Sequence, residues 1–175
     1  MNSDITVKTT KGEYALNWIE FPDAGVSIRL PENLSDLPEE ERQKLFSTSE
    51  STAIKADFKN KIFFSLNSSQ IDITEDQSEE ESVLGLMAAQ QKAISRLTPG
   101  YQEYGIRKKK IDGGHIIACL DFKSNSLEND IYNIFCLFIH KGRMISGTFS
   151  CLLEDEIEWN IVFLACLDSL NFIEG

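Results

Sequence analysis

Three consecutive segments in the second half of the chain are apolar on both of the faces that a β-strand presents. They are HIIACLDF, beginning at residue 115, DIYNIFCLFIH, beginning at residue 130, and RMISGTFSCLL, beginning at residue 143. Each is rich in β-branched and aromatic residues and is bounded by glycine or by a short polar stretch, which is typical of strands. An antiparallel sheet with one face in water alternates polar and apolar residues. These segments do not, so the sequence predicts a meander sheet that is covered on both faces.

The connections between these segments predict how the strands pair. If residues 141–142 form a two-residue hairpin and the polar loop 123–130 is centred between its strands, Cys119 lies opposite Ile134. One face of the sheet then carries Ile117, Cys119, Ile134, Cys136, Phe138, Ile145 and Phe149. The other face carries Ile116, Ala118, Leu120, Phe122, Phe135, Leu137, Ile139, Met144 and Leu152.

Two amphipathic helices are available to cover these faces. They are predicted over residues 78–98 and 155–170, where apolar residues recur at helical spacing. Each begins with the spacing of a capping box, in the pairs Ser78 with Glu81 and Asp155 with Glu158. Further strands are predicted in EYALNWIEF, GVSIRLP, AIKADF, KIFFSLN and YGIRKKKID, and a short helix in LPEEERQKLF. We therefore predict an α+β fold, an α/β/α sandwich around a central, mainly antiparallel sheet, formed by a single domain over residues 1–175.

The charge of the chain limits its partners. The formal net charge is −11 and the pI is about 4.6, so the protein repels phosphate backbones and anionic lipid headgroups. We expect neither nucleic acid nor a membrane as a partner. The N-terminal residues lack the pattern of an export signal, from which we expect a cytoplasmic protein.

The four cysteines are single residues within apolar runs and form no CxxC pair. We predict that they are buried, reduced thiols. His115 and Cys119 lie four residues apart on one strand, which separates them by about 13 Å and excludes a nucleophile and base pair within that strand. The chain also has no nucleophile elbow, phosphate loop or dinucleotide-binding fingerprint. These observations argue against the common hydrolases and kinases.

The only two histidines are brought together by the predicted register. His115 lies opposite Phe138, with His140 diagonal to it on the same face and Asp112 just before the glycine turn. Diagonal neighbours on a sheet are about 7 Å apart, within reach of a shared metal or a hydrogen-bond relay. Alternatively, these are ordinary polar residues at strand ends.

The stretch RKKK, residues 107–110, is the one concentrated positive charge in the sequence. In one interpretation Arg107, Lys108 and Lys110 bind an acidic segment of a partner. In the other they protect an edge strand against aggregation, as charged residues commonly do. Replacing all three by serine distinguishes the two, since partner binding is lost in the first case and self-association increases in the second.

The segments FPDAGVSIRLPENL and IDGGHIIACLDF resemble the Mog1/PsbP-like superfamily, which includes bacterial proteins of the DUF1795 group. They are similar to that family's early strand leading into a proline and to its strand entered through glycine. The C-terminal part, from YNIFCLFIH to SLNF, is similar to the family's final hairpin and last helix. The resemblance implies an α/β/α sandwich and a protein partner, because members bind a small GTPase, a photosystem or toxin effectors. No functional residue can be carried over to this chain.

We therefore expect a non-enzymatic protein-binding module, such as a chaperone or an immunity-type adaptor, that needs no cofactor. Its partner is another protein, and the module itself is a monomer or a homodimer. The alternative is an enzyme, or a small-ligand or metal-binding protein, with its site near Asp112, His115 and His140.

Overall fold

The computed structural model describes residues 5–45 and 53–174, without the side chains of Leu45 and Asp112. The strands are β1 (Ile5–Lys8), β2 (Glu13–Phe21), β3 (Val26–Pro31), β4 (Ser35–Asp36), β5 (Ala53–Asp57), β6 (Ile62–Gln70), β7 (Gln102–Lys110), β8 (Ile116–Asn125), β9 (Asp130–His140), β10 (Arg143–Leu152) and β11 (Asn171–Phe172). The α-helices are α1 (Glu39–Leu45), α2 (Glu79–Leu97) and α3 (Glu156–Asp168).

The described strands form two antiparallel sheets. The larger has seven strands in the order β4-β5-β6-β10-β9-β8-β7, and the smaller has four in the order β1-β2-β3-β11. The predicted meander is the run from β7 to β10, in which successive strands are neighbours. The two edges of the larger sheet differ greatly, since β7 has nine residues and β4 has two.

The central sheet is apolar on both faces, as the sequence predicts. The residues of the first predicted face belong to the larger core, where α3 packs against β3 and β10 and the smaller sheet contributes β2 and β3. On the opposite face, α2 packs over β8 and β9 and covers a second cluster that includes Val83 and Met87. The predicted α+β sandwich is confirmed, with the four-stranded sheet joining α3 on one side of the central sheet.

The predicted register between β8 and β9 is wrong by two residues. Cys119 lies opposite Cys136, not Ile134, because the turn is centred one residue later than the middle of the polar loop. Asn125 is the last residue of β8 to pair, and the amide of Ser126 donates to the carbonyl of Asn129 to close the turn. A shift of two residues leaves every side chain on its predicted face, so the two cores are unchanged.

Only one of the two predicted capping boxes forms. At α2, the Ser78 hydroxyl accepts from the Glu81 amide, and the Glu81 carboxylate accepts from the Ser78 amide. At α3, Asp155 makes no side-chain cap. Glu158 is instead buried, where it accepts hydrogen bonds from the hydroxyls of Thr9 and Tyr14. Burial, and to a lesser extent the hydrogen bond with Glu158, raises the pKa of Tyr14 to about 12.

Candidate functional site

The two histidines meet at one end of the central sheet. Continuing the observed pairing of β8 and β9 places His115 directly opposite His140, where the predicted register placed them diagonally. The phenyl ring of Phe172, on β11, contacts both imidazoles. It stacks on His140 with ring centroids 4.3 Å apart and meets the edge of His115 at 4.6 Å.

The two imidazoles have different surroundings. His115 Nδ1 lies 2.8 Å from a carboxylate oxygen of Glu79 in the first turn of α2. His140 Nε2 is buried and has no hydrogen-bond partner among the described residues. Burial lowers the pKa of His140, and the positive charges of Lys141 and His115 lower it further.

A close approach of the backbone at Gly25 completes the enclosure of His140. Gly25 has a φ of 68°, and a Cβ at this position would lie 3.1 Å from the imidazole ring. The carbonyl of Gly25 also accepts a hydrogen bond from the amide of Ile173, which anchors β11 beside the ring. The imidazole of His140 is therefore packed as part of the core edge.

The metal hypothesis combines this histidine pair with Asp112. Among the side chains that the structure describes, no three histidine, cysteine, aspartate or glutamate residues converge to hold an ion. The backbone of Asp112 lies in a short turn before His115, but its side chain is outside the described set. A surface concavity of about 650 Å³ lies at the opposite end of β8 and β9, lined by residues 125–130 and 152–154.

The basic run lies on β7, at the edge of the larger sheet, and most of its charge is neutralised within the chain. The Arg107 guanidinium lies 3.2 Å from the Asp121 carboxylate on β8. Lys108 pairs with Glu80 of α2, and Lys109 pairs with Asp168 of α3. Lys110 makes no ion pair with a described side chain. The hydrogen bond from Lys108 lowers the pKa of Glu80, and the charge of Lys110 adds to this effect.

The backbone pairing shows which groups of β7 face outwards. The amide of Ile111 donates to the carbonyl of His115 over 2.8 Å, in register with the β7–β8 ladder. In an antiparallel pair the residues alternate between facing the partner strand and facing away from it. The backbone N–H and C=O groups of Ile106, Lys108 and Lys110 therefore point away from β8, where the described chain provides no further strand.

Exposed apolar side chains flank this edge on the side of α2. Two contacts show that α2 lies alongside β7: Glu80 accepts a hydrogen bond from Lys108, and Gln91 donates one to Glu103. Between these two contacts lie Leu84 on the helix and Ile106 on the strand, and both are exposed although they are large and apolar.

Exposed apolar side chains also flank the edge on the side of α3. Asn160 of α3 donates to the hydroxyl of Tyr132, and the ring of Tyr132 lies 6.3 Å from that of Tyr104 on β7. Tyr104 is 45% exposed, Ile157 80% and Ile161 43%. We call the outer edge of β7, with the side chains of Leu84, Tyr104, Ile106, Ile157 and Ile161, the β7 edge surface.

The cysteines offer no reactive thiol. All four are buried and free, as predicted. Burial raises the pKa of Cys119 to about 11 and that of Cys166 to about 12, and it also raises the pKa values of Cys136 and Cys151. Because the thiolate is the nucleophile, a thiol with such a pKa is inert at neutral pH.

Comparison with known proteins establishes the fold. No protein-family model matches the chain, and no curated protein matches its sequence. Among solved structures, cyanobacterial PsbP (CyanoP) from Synechocystis superposes with a TM-score of 0.62 and 13% identity, covering 95% of this chain and 97% of its own. A Pseudomonas aeruginosa protein of unknown function gives a TM-score of 0.54 at 12% identity, covering 91% and 99%.

A third similar structure is LpqN of Mycobacterium tuberculosis, which is involved in cell envelope biogenesis. It gives a TM-score of 0.53 at 12% identity and covers 91% of both chains. The resemblance seen in the sequence is confirmed at the level of the fold, which is Mog1/PsbP-like. Within residues 5–45 and 53–174, no helix combines the length and the apolar content that a bilayer crossing requires.

Proposed function

We propose that this protein, with its Mog1/PsbP-like fold, is a non-enzymatic protein-binding module and that its binding site is the β7 edge surface. One observation carries the proposal. A nine-residue edge strand has outward-facing backbone groups, and both neighbouring helices leave apolar side chains exposed beside it. A contiguous exposed apolar patch marks an interaction site, and an open strand edge is a template for pairing with another chain.

The placement of the reactive side chains supports a role without catalysis. The thiols are buried with raised pKa values, and the two imidazoles pack against Phe172. A catalytic histidine needs a ring nitrogen that reaches a substrate. In this chain one such nitrogen is paired with Glu79 and another is enclosed beside Gly25.

Within this class we propose a cytoplasmic chaperone or immunity-type adaptor, which functions by binding another protein. Such a role requires a surface that is stable and preformed. The β7 strand meets that requirement, because β8 pairs regularly with its Gly105–Lys110 part and ion pairs connect that part to both long helices.

Site-specific photo-crosslinking tests the proposal. A photoreactive phenylalanine analogue replaces Ile106 in one variant and Phe58 in a matched control. The two side chains are similarly exposed, at 42% and 40%, but Ile106 lies on β7 and Phe58 lies in the turn between β5 and β6, far away in the larger sheet. We expect one defined protein to be crosslinked from Ile106 in cells and not from Phe58. The purified partner should then bind the unaltered chain and lose about tenfold or more in affinity to Ile106→Asp. Identical adducts from both positions, or none from Ile106, contradict the proposal.

One observation favours the alternative of a ligand or metal site near Asp112, His115 and His140, namely the buried Nε2 of His140 without a partner. Titration of Zn²⁺ into metal-free protein, followed by calorimetry, tests it. A stoichiometric site that disappears in His140→Ala favours the alternative. Binding that is absent, or unchanged in that variant, removes it.

A further inference from the structure

We infer that the partner contributes an extended segment that joins the larger sheet as a further strand beside β7, and that this segment is apolar on both faces and carries a carboxylate opposite Lys110. This inference rests on the proposed function and specifies the chemistry of its partner. It follows from the direction of the backbone groups, the side chains beside them and the distribution of charge along the strand.

The backbone groups supply the pairing. Ile106, Lys108 and Lys110 each direct an N–H and a C=O group away from β8, at alternate positions along the strand. Beyond an irregularity in the pairing between Glu103 and Gly105, the six residues Gly105–Lys110 pair regularly with β8 and span about 20 Å at roughly 3.3 Å per residue, the length of an average strand. The opposite edge of the same sheet, β4, has two residues and offers no comparable template.

The side chains beside the edge define which residues the added strand carries. A strand paired with β7 points alternate side chains to the two faces of the sheet. On the face of α2 they lie beside Leu84 and Ile106, and on the face of α3 they lie beside Tyr104, all of which are exposed. Because both sets are apolar and exposed, a segment that is apolar on both faces buries more surface here than one with a polar face.

The charges of β7 leave one position for a carboxylate. Arg107, Lys108 and Lys109 are already paired with acidic side chains of this chain. Lys110 makes no such ion pair with a described side chain, and its backbone N–H and C=O groups point away from β8. The net charge of −11 repels a highly acidic partner. The charge distribution therefore favours a mainly apolar segment with a single carboxylate at this end.

The same charges disfavour a second copy of this chain as the occupant. Antiparallel self-pairing centred on Ile106 places Glu103 of one copy opposite Lys109 of the other. Both side chains are already engaged, since Glu103 accepts from Gln91 and Tyr101, and Lys109 pairs with Asp168. Self-pairing therefore adds no new ion pair to the backbone contacts.

Two variants at Lys108 separate backbone pairing from side-chain contact. Lys108→Pro removes an outward-facing N–H without breaking a bond to β8, which an edge strand tolerates. Lys108→Ser removes the same side chain but keeps the N–H. For the partner crosslinked from Ile106, we expect binding to weaken by about 30-fold in Lys108→Pro, and by less than about threefold in Lys108→Ser. Unfolding temperatures of both variants are measured alongside as a check on folding.

Synthetic peptides test, on the unaltered protein, whether the edge of β7 binds an apolar strand with a carboxylate opposite Lys110. Two fluorescein-labelled peptides of about nine residues, the length of β7, consist of Val and Ile with one Glu near either the N-terminus or the C-terminus. We expect one of the two to bind more tightly, the preference to disappear in Lys110→Ser, and the amides of Ile106, Lys108 and Lys110 to exchange about tenfold more slowly when it is bound.

The outcomes distinguish this inference from the proposed function. If the partner crosslinked from Ile106 binds Lys108→Pro and Lys108→Ser equally well, strand addition is wrong while protein binding at this surface stands. Equal binding of both peptides, or no protection of the three amides, also overturns the inference. If light scattering shows a dimer that Lys108→Pro dissociates, the occupant is a second copy and the heterologous segment is wrong.

Discussion

Replacing Phe172 by alanine tests the packing of the C-terminal strand against the two histidines. The Phe172 ring contacts His140, His115 and, at 5.8 Å, Phe138. Truncation of a fully buried phenylalanine costs about 3–5 kcal/mol of unfolding free energy. Phe172 is only partly buried, so about half of this value, roughly 2 kcal/mol, is expected. At about 2–4 °C per kcal/mol for a chain of this size, the unfolding temperature should fall by about 4–8 °C.

The same variant changes the response to acid. In the folded protein the pKa of His140 is lowered from its ordinary value of 6.5, first by burial and then by the charges of Lys141 and His115. As the pH falls below 6.5, the unfolded chain therefore takes up a proton before the folded one does, so this group destabilises the fold increasingly until the pH passes the folded pKa, and by a constant amount below it. Above pH 6.5 it has no effect. In Phe172→Ala the imidazole becomes hydrated, so its pKa rises towards 6.5 and this acid destabilisation diminishes.

The measurements are urea denaturation between pH 5 and 8 and titration of the imidazole protons by NMR. The chain has two histidines, so His115→Gln assigns both resonances. Among the described contacts, the acidic group nearest to the two histidines is Glu79, which contacts His115. The Glu79→Gln variant therefore serves as the control for the effect of this negative charge on both imidazoles. A His140 resonance that titrates at or above pH 6.5 in the unaltered protein, or a loss of less than about 0.5 kcal/mol in Phe172→Ala, refutes the reasoning.

Three further predictions concern the packing that supports the site. Gly25→Ala should cost about 1–2 kcal/mol, because Gly25 has a left-handed φ and its new Cβ would crowd the ring of His140, as urea denaturation would show. Tyr132→Phe should cost a similar amount, because the hydroxyl donates to Asp121 over 2.7 Å and accepts from Asn160 over 2.6 Å; an unchanged midpoint contradicts this. The four cysteine thiols should resist Ellman's reagent in the folded protein and react in denaturant, and rapid reaction of the native protein would show that they are not buried.

The alternation of side chains made the central sheet predictable from sequence. All the residues assigned to the two faces except Leu152 belong to the core cluster of their face, because side-chain direction depends only on local extended geometry. The pairing of β8 with β9 cannot be predicted to the residue, because it depends on the turn. A loop of polar residues does not reveal where its hydrogen bond closes, and the bond between Ser126 and Asn129 moves the centre by one residue.

The candidate site could be predicted only in part. The sequence brings His115 and His140 onto one face, but it gives no sign of Phe172 or Glu79. Phe172 reaches the histidines because β11 follows α3 and pairs with β3, a contact between distant parts of the chain. A two-residue strand such as β11 carries too little pattern to be found by alternation. The carboxylate of Glu79, at the start of α2, looks in sequence like any acidic residue favoured near a helix N-terminus.

The surroundings of β7 explain why one edge strand can be both protected and available. Under the proposed binding mode, the two interpretations of the basic run, protection and binding, apply to different parts of it. Three of its cations hold β7 to β8, α2 and α3, which fixes the strand in an extended form before any partner arrives. A preformed strand loses little conformational entropy when it binds, so the cost of ordering falls mainly on the partner segment. In the proposed complex, Lys110 and the outward backbone groups select that segment, while the paired charges disfavour a second β7 strand as the occupant.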